Sequence, residues 1–286
     1  MTAPAHPARR ELRTRWYGVD NRPMHVLVSE KGEPTAGNSP PTWKLPSVLV
    51  HGLGIAAESM RALGGELAGR GYRVYAPDLP GFGGSAAHKP PRALDIPELA
   101  DAVAAWMQIA GIERAAIVGN SIGAQIAADL AARRPELVSA LVLLGPTTDP
   151  EVRSVPGQIW RWMKNSRVDK SSGHGMVSAY LAAGLGRVLR TFRYSIEDRI
   201  EAKVPLIRAP TLVVSGSADP ITPPHWVRRV CELLPDGRLM HLEGAGHSIH
   251  GLRPRELGVA IHDFLTGEQQ LAPTAPVAAA RLPADG

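Results

Sequence analysis

The stretch Gly119-Asn120-Ser121-Ile122-Gly123 constrains this chain most, because a G-x-S-x-G pentapeptide stands between an apolar run and a helical pattern. Ala115-Ala116-Ile117-Val118 reads as a buried strand, and Ala124 to Arg134 as a helix. A strand that turns at once into a helix forces the corner residue into a crowded backbone conformation, and flanking residues without a Cβ leave it room. The spacing therefore predicts Ser121 in the open at the carboxyl end of a strand. A Gly-Ser-Gly spacing also arises by chance in a chain with 29 glycines. Whether it means anything depends on the partners the rest of the chain supplies.

A serine hydroxyl is a poor nucleophile at neutral pH. It needs a base, a carboxylate to orient that base, and donors for the oxyanion that forms. Of the ten histidines, His247 lies in the glycine-rich turn Glu243-Gly244-Ala245-Gly246-His247-Ser248, after the strand-like run Arg238 to Leu242 and before the last helix. His250 is a rival farther from that turn, while His225 and His262 fall on expected helices, where a solvated or packed imidazole is the plainer reading. For the acid, the apolar strand Thr211 to Val214 runs into Ser215-Gly216-Ser217-Ala218-Asp219-Pro220, which places Asp219 on a loop at the same sheet edge. Asp149, after the strand Ala140 to Leu144, is the alternative. The strand Pro46 to Val50 leads into His51-Gly52-Leu53-Gly54, whose amides are placed to meet an oxyanion, so Leu53 and Ile122 are the candidate donors. His51 itself reads as a structural residue that holds its loop through a side-chain hydrogen bond.

Taken in order, His51-Gly52-Leu53-Gly54, Asp78-Leu79-Pro80-Gly81-Phe82-Gly83-Gly84-Ser85, the Ser121 pentapeptide, Asp219 and His247 resemble the α/β-hydrolase superfamily over roughly residues 20 to 267. The Ser, Asp, His order is the one found on that fold. The resemblance implies a mostly parallel sheet of eight strands flanked by helices, a triad of Ser121, Asp219 and His247, and no cofactor. It also implies a serine hydrolase of the carboxylesterase kind working through an acyl-enzyme. The Asp78 to Ser85 segment has the spacing of a family fold signature and reads as structural. Epoxide hydrolases and haloalkane dehalogenases resemble the chain but carry an aspartate where Ser121 stands. The Gly-Asn-Ser-x-Gly elbow is also similar to that of hydrolases cleaving carbon–carbon bonds in aromatic ring-fission products, although those have a tryptophan where Ser248 follows His247. Cofactor-free perhydrolases are a third enzyme reading, and a non-catalytic small-molecule-binding member of the fold a fourth.

Length and an apolar content of 44% suit one α/β core. Strands are expected near 12–18, 23–29, 46–50, 72–76, 114–119, 139–145, 210–216 and 238–243, the first two as an antiparallel hairpin around Asp20-Asn21-Arg22-Pro23. The βα alternation predicts a doubly wound sheet, with core residues 11–146 and 210–267. It stops across 147–209, where helical patterns without a clear strand predict a cap inserted after strand 6. There Trp160, Trp162, Met163, Met176, Tyr180, Leu181, Leu185 and Leu189 recur at helical spacing, which reads as packing and as a possible apolar lining for a substrate of modest size.

Residues 1–10 and 268–286, rich in Pro and Ala, are expected to be disordered tails. Arg9-Arg10 lacks the apolar run an export signal requires, and no stretch is long enough to span a membrane, so the expectation is a cytoplasmic protein with no membrane partner. The 32 basic and 27 acidic side chains leave a mild excess of +5 that reads as spread along the chain, which speaks against nucleic acid as a partner. Cys231, on an expected helix, is the single cysteine and reads as a buried inert thiol. No His-x-x-x-His pair suggests a metal site. The expected partner is a small-molecule substrate.

Overall fold

Asp20 and Asn21 both adopt positive φ (47° and 60°). These residue types tolerate that conformation, and the tight turn folds β1 (Leu12–Val19) back on β2 (Arg22–Ser29) with Val19 opposite Arg22. The chain is described by a computed structural model covering residues 10–29, 44–169 and 176–267. The two segments expected to be disordered tails lie outside the described residues, except for Arg10. The other strands are β3 (Lys44–Val50), β4 (Tyr72–Pro77), β5 (Ala115–Asn120), β6 (Val138–Leu144), β7 (Thr211–Gly216) and β8 (Gly237–Leu242). All eight join one sheet in the order β1-β2-β4-β3-β5-β6-β7-β8, antiparallel at β1/β2 and β2/β4 and parallel elsewhere. Each expected strand is present, its ends displaced by at most two residues.

The helices are α1 (Arg61–Gly69), α2 (Ile96–Ile109), α3 (Ile122–Arg133), α4 (Val155–Val168), α5 (Met176–Ala183), α6 (Leu185–Glu197), α7 (Ile200–Lys203), α8 (Pro224–Leu233), α9 (Ile249–Leu252) and α10 (Pro254–Thr266). The central strands are largely apolar and buried because helices cover both faces. Val48, Ile117, Leu141 and Val213 pack with the buried sides of α2, α3 and α8. Their neighbours Leu49, Val118, Val142 and Val214 pack with α1 and α10 on the opposite face. The registers Val50↔Gly119, Asn120↔Leu144 and Gly216↔Leu242 bring the carboxyl ends of β3, β5, β6, β7 and β8 to one sheet edge. Cys231 is half-buried in α8, less enclosed than expected, and burial with the nearby Glu232 charge pushes its thiol pKa up.

Helices α4 to α7 lie between β6 and β7 as an insertion, and α4 is inside out. Ser154 caps it through Gly157 N–H. Its buried residues, however, are polar: Gln158, Arg161 and Asn165. Trp160, Trp162 and Met163 on α4, and Leu181, Leu185 and Leu189 on α5 and α6, are exposed. The expectation that this apolar stripe packs into the core is therefore corrected, because the inner side of α4 is taken by polar side chains bonded to the loops beneath, whereas Trp162, Tyr180 and Leu189 do line a cavity together with Ser121, as the lining reading expected. Tyr180 does turn inward and lies against Gly54, and the side chain of Met176 lies outside the described residues. The charge expectation is corrected as well. Residues 147–209 hold eleven Lys and Arg against six Asp and Glu, whereas the rest of the chain is neutral, so the positive excess belongs to the insertion.

Candidate active site

Ser121 sits between β5 and α3 at φ 57° and ψ −119°, a conformation that costs about 1–3 kcal/mol for a non-glycine residue. Its N–H is held by Leu144 O at 2.9 Å. The elbow closes because Gly119 and Gly123 face backbone: a Cβ on Gly119 would lie 2.2 Å from Gly123 O, and one on Gly123 would lie 2.3 Å from Val50 O. Ile122 opens α3, so its N–H is among the helix donors that have no carbonyl four residues back. The Ile122 and Leu53 residues line the same cavity as Ser121.

The loop after β7 brings Asp219 to this edge. Asp219 Oδ1 accepts from Ile221 N at 2.7 Å and Thr222 N at 3.2 Å, a turn that the side chain builds on its own backbone. Its Oδ2 accepts from Thr222 Oγ1 and pairs with His247 Nδ1 at 2.7 Å. Burial disfavours the charge on Asp219, but His247 and these donors outweigh it and hold the carboxyl below its usual range. His247 is buried too. Dehydration pushes its pKa down, yet the Asp219 charge and hydrogen bond, with the charge of Asp169, leave it raised overall. Its Nε2 is buried with no hydrogen-bond partner among the described residues, and the ring lines the cavity that holds Ser121. Gly145, at φ 52°, ends β6 where a Cβ would come within 2.9 Å of the imidazole.

The alternatives are placed elsewhere. The rival base His250 is buried beside His247 and pushed down to about 4 by burial, reinforced by the His247 charge, so it is neutral at pH 7, and its Nδ1 has no hydrogen-bond partner among the described residues. Asp149 pairs with Arg161 at 2.7 Å and does not meet His247. His51 donates Nδ1–H to Gly52 O (2.8 Å) and accepts from Leu79 N (3.0 Å), the loop-holding role expected of it. Asp78 accepts from Ala57 N and Gly84 N, both at 2.6 Å, and pairs with His25, which agrees with a structural reading of its segment.

Two residues of α4 and the segment after it went unread in the sequence. Asn165 Oδ1 accepts from His247 N at 3.1 Å. Asp169 Oδ2 accepts from Ser248 N at 2.8 Å and from Asn165 Nδ2 at 2.9 Å. Arg161 adds a bond to Ile221 O at 3.4 Å, so the polar stripe of α4 grips both the Asp219 loop and the His247 loop. Its signal was available: Gln158, Arg161, Asn165 and Asp169 recur at three to four residue spacing, beside the apolar Ile159, Trp160, Trp162 and Met163.

Ser121 and His247 face a cavity of about 520 Å³. Leu53, Ile55, Ile122, Ile159, Trp162, Val188, Leu189 and Phe192 supply apolar wall, and among the described residues no Lys, Arg, Asp or Glu lines it. Thr147 Oγ1, also in the wall, is buried with no hydrogen-bond partner. Away from the cavity, Asp149, Glu151 and His225 place ligand atoms within 4.8 Å of one another, but Arg161 already occupies the Asp149 carboxylate.

The sequence profile described as alpha/beta hydrolase fold matches residues 48–169, and one described as TAP-like protein matches 194–267, on either side of α5. The chain belongs to the α/β-hydrolase superfamily. This α/β-hydrolase is 24% identical to epoxide hydrolase A of Mycobacterium tuberculosis in an alignment of 320 positions, gaps included, that covers 87% of this chain and 96% of the relative. It is 27% identical over 266 residues to the pimeloyl-[acyl-carrier protein] methyl ester esterase of Aromatoleum aromaticum, covering 77% and 98%. Its fold matches that of a solved serine hydrolase involved in carbazole degradation, the CarC enzyme, with a TM-score of 0.70 at 20% identity, covering 89% and 99%. No helix among the described residues is long and apolar enough to cross a membrane.

Proposed function

We propose that this α/β-hydrolase cleaves a neutral carboxylic ester of a small, largely apolar molecule through an acyl-enzyme. The observation that carries this reading is His247, bonded through Nδ1 to Asp219 while its Nε2 stays unpartnered in the cavity that holds Ser121. His247 Nε2 takes the Ser121 proton as Oγ attacks the ester carbonyl, and the Leu53 and Ile122 N–H groups receive the oxyanion. Asp219 keeps the imidazole in the right tautomer and stabilises the imidazolium. The C–O bond of the tetrahedral adduct breaks, His247 gives its proton to the leaving alcohol, and water repeats the two half-steps to release the acid.

Three features favour an ester over the other readings. Ser121 occupies the elbow, where an epoxide hydrolase carries an aspartate, although one relative is an epoxide hydrolase. Another relative is a methyl ester esterase. The carbon–carbon substrates of ring-fission chemistry are carboxylates, and a cavity whose described wall residues include no lysine or arginine offers such a charge no partner among them, at a cost of several kcal/mol. Purified protein is therefore expected to hydrolyse p-nitrophenyl butyrate with a kcat/KM about 10² or more above that for the p-nitrophenyl monoester of succinic acid, which carries the extra charge. Equal rates would remove the neutral-substrate reading. Turnover of a ring-fission dienoate in place of either ester would replace it with carbon–carbon cleavage.

The pH dependence has a definite sign. A base works only when neutral, and His247 is held above its ordinary value of 6.5, so kcat/KM for p-nitrophenyl butyrate is expected to fall as pH drops through an apparent pKa above 6.5. Asp169→Asn keeps an acceptor for Ser248 N–H but removes one charge that raises His247. The acid limb is then expected to move to lower pH. A limb that stays in place or moves upward contradicts this account of His247.

A further inference from the structure

We infer that the outward face of the helical insertion docks on an anionic lipid bilayer, with the mouth of the cavity turned toward the lipid. Burial of a polar stripe and exposure of apolar side chains reverse the usual arrangement of a surface helix. On α4, Trp160 and Met163 are each 57% exposed, and on α6 Leu189 is 64% exposed. The two helices belong to one surface, because Ile159 and Trp162 of α4 and Leu189 of α6 all reach the cavity wall while remaining exposed. Leu252 of α9 completes the rim in the same way. An exposed apolar rim around an active-site mouth exceeds what scattered surface residues explain.

The charges choose the occupant. Lys164 and Arg167 on α4, and Arg190 on α6, are exposed on the same helices, with Lys164 Nζ 3.4 Å from the centre of the Trp160 ring, while the exposed Arg193 is paired with Glu197 at 2.8 Å. The whole insertion, residues 147–209, carries eleven basic against six acidic residues. A second copy of the chain, docked by a two-fold axis, would press this positive face against itself. A bilayer bearing acidic headgroups meets both halves of the pattern: tryptophan and leucine enter the headgroup boundary while lysine and arginine hold the phosphates. The sequence expectation of no membrane partner rested on the lack of a spanning segment, which surface docking does not need.

The test reads binding and not turnover, so it stands apart from the fate of the proposed hydrolase. The full chain is floated with vesicles of phosphatidylcholine, alone and with phosphatidylserine added, at low and high salt. Its sedimentation in free solution is recorded beside this. The expected result is partition to the serine-lipid vesicles that salt weakens. The double substitution Trp160→Glu/Met163→Glu should reduce it by about tenfold or more, and Ile109→Glu, at an exposed apolar site on α2 outside the insertion, should leave it unchanged. Circular dichroism confirms that each variant is folded. Absence of partition to acidic vesicles overturns the inference, as does equal loss with Ile109→Glu. A self-associated chain that the double substitution makes monomeric, without vesicle binding, would assign the face to a second copy.

Discussion

Ser121→Ala is expected to abolish hydrolysis of p-nitrophenyl butyrate, with a fall in kcat of about 10⁴ to 10⁶ and complete loss of labelling by a fluorophosphonate. The proposed route has one nucleophile, and removing it leaves only binding and the oxyanion donors to act on a water molecule. The fold should not notice. Alanine adds no atom to the elbow, carries the same Cβ through the same φ of 57°, and leaves the Ser121 N–H to Leu144 O bond untouched. An unchanged melting temperature beside lost turnover is the result that assigns the role. Retained labelling and turnover in the variant would remove Ser121 from the reaction and with it the acyl-enzyme.

Asp219→Asn should come second, with kcat lowered about 10⁴-fold in a protein that still folds. The carboxylate accepts from Ile221 N, Thr222 N, Thr222 Oγ1 and His247 Nδ1, so it is acceptor to every partner. An amide can keep the backbone bonds through its oxygen and then turns its NH₂ toward His247, which favours the tautomer with the proton on Nε2. That nitrogen can no longer take the serine proton. Asp149→Asn serves as the comparison, since Asp149 is engaged with Arg161 and is expected to leave kcat within about tenfold. The reverse ranking would move the acid to the end of β6.

If both results hold, attention passes to α4. Its inner stripe bonds the backbone of His247 and Ser248 and the carbonyl of Ile221, so the segment that roofs the cavity also steadies the base and the acid. The outer side of the same helix is left apolar. One helix thereby ties the chemistry to the surface through which a substrate enters.

Much of this was written in local sequence. Short apolar runs mark the central strands, such as Ala115-Ala116-Ile117-Val118 and Leu212-Val213-Val214, as buried on both faces, and the turn residues Asp20-Asn21 mark the hairpin of the more exposed β1. The elbow was legible because the G-x-S-x-G spacing is local, with Gly119 facing the backbone of Gly123, and the Ser121, Asp219 and His247 candidates because each ends or follows a strand of one parallel sheet. Choosing Asp219 over Asp149 was different. Both follow adjacent strands, and only the side-chain pairing, Asp219 with His247 and Asp149 with Arg161, separates them. The insertion was the least legible part. Helical periodicity reports that a stripe exists, but which side faces inward depends on what lies beneath, and beneath α4 lie unsatisfied loop N–H and carbonyl groups that draw polar side chains in. Sequence by itself determined the sheet, the elbow and the candidate chemistry, since these follow from residues near one another along the chain. Tertiary structure alone decided which carboxylate meets the histidine, the lack of charge among the described residues of the cavity wall and the outward turn of the apolar stripe, because each depends on segments distant in sequence being brought face to face.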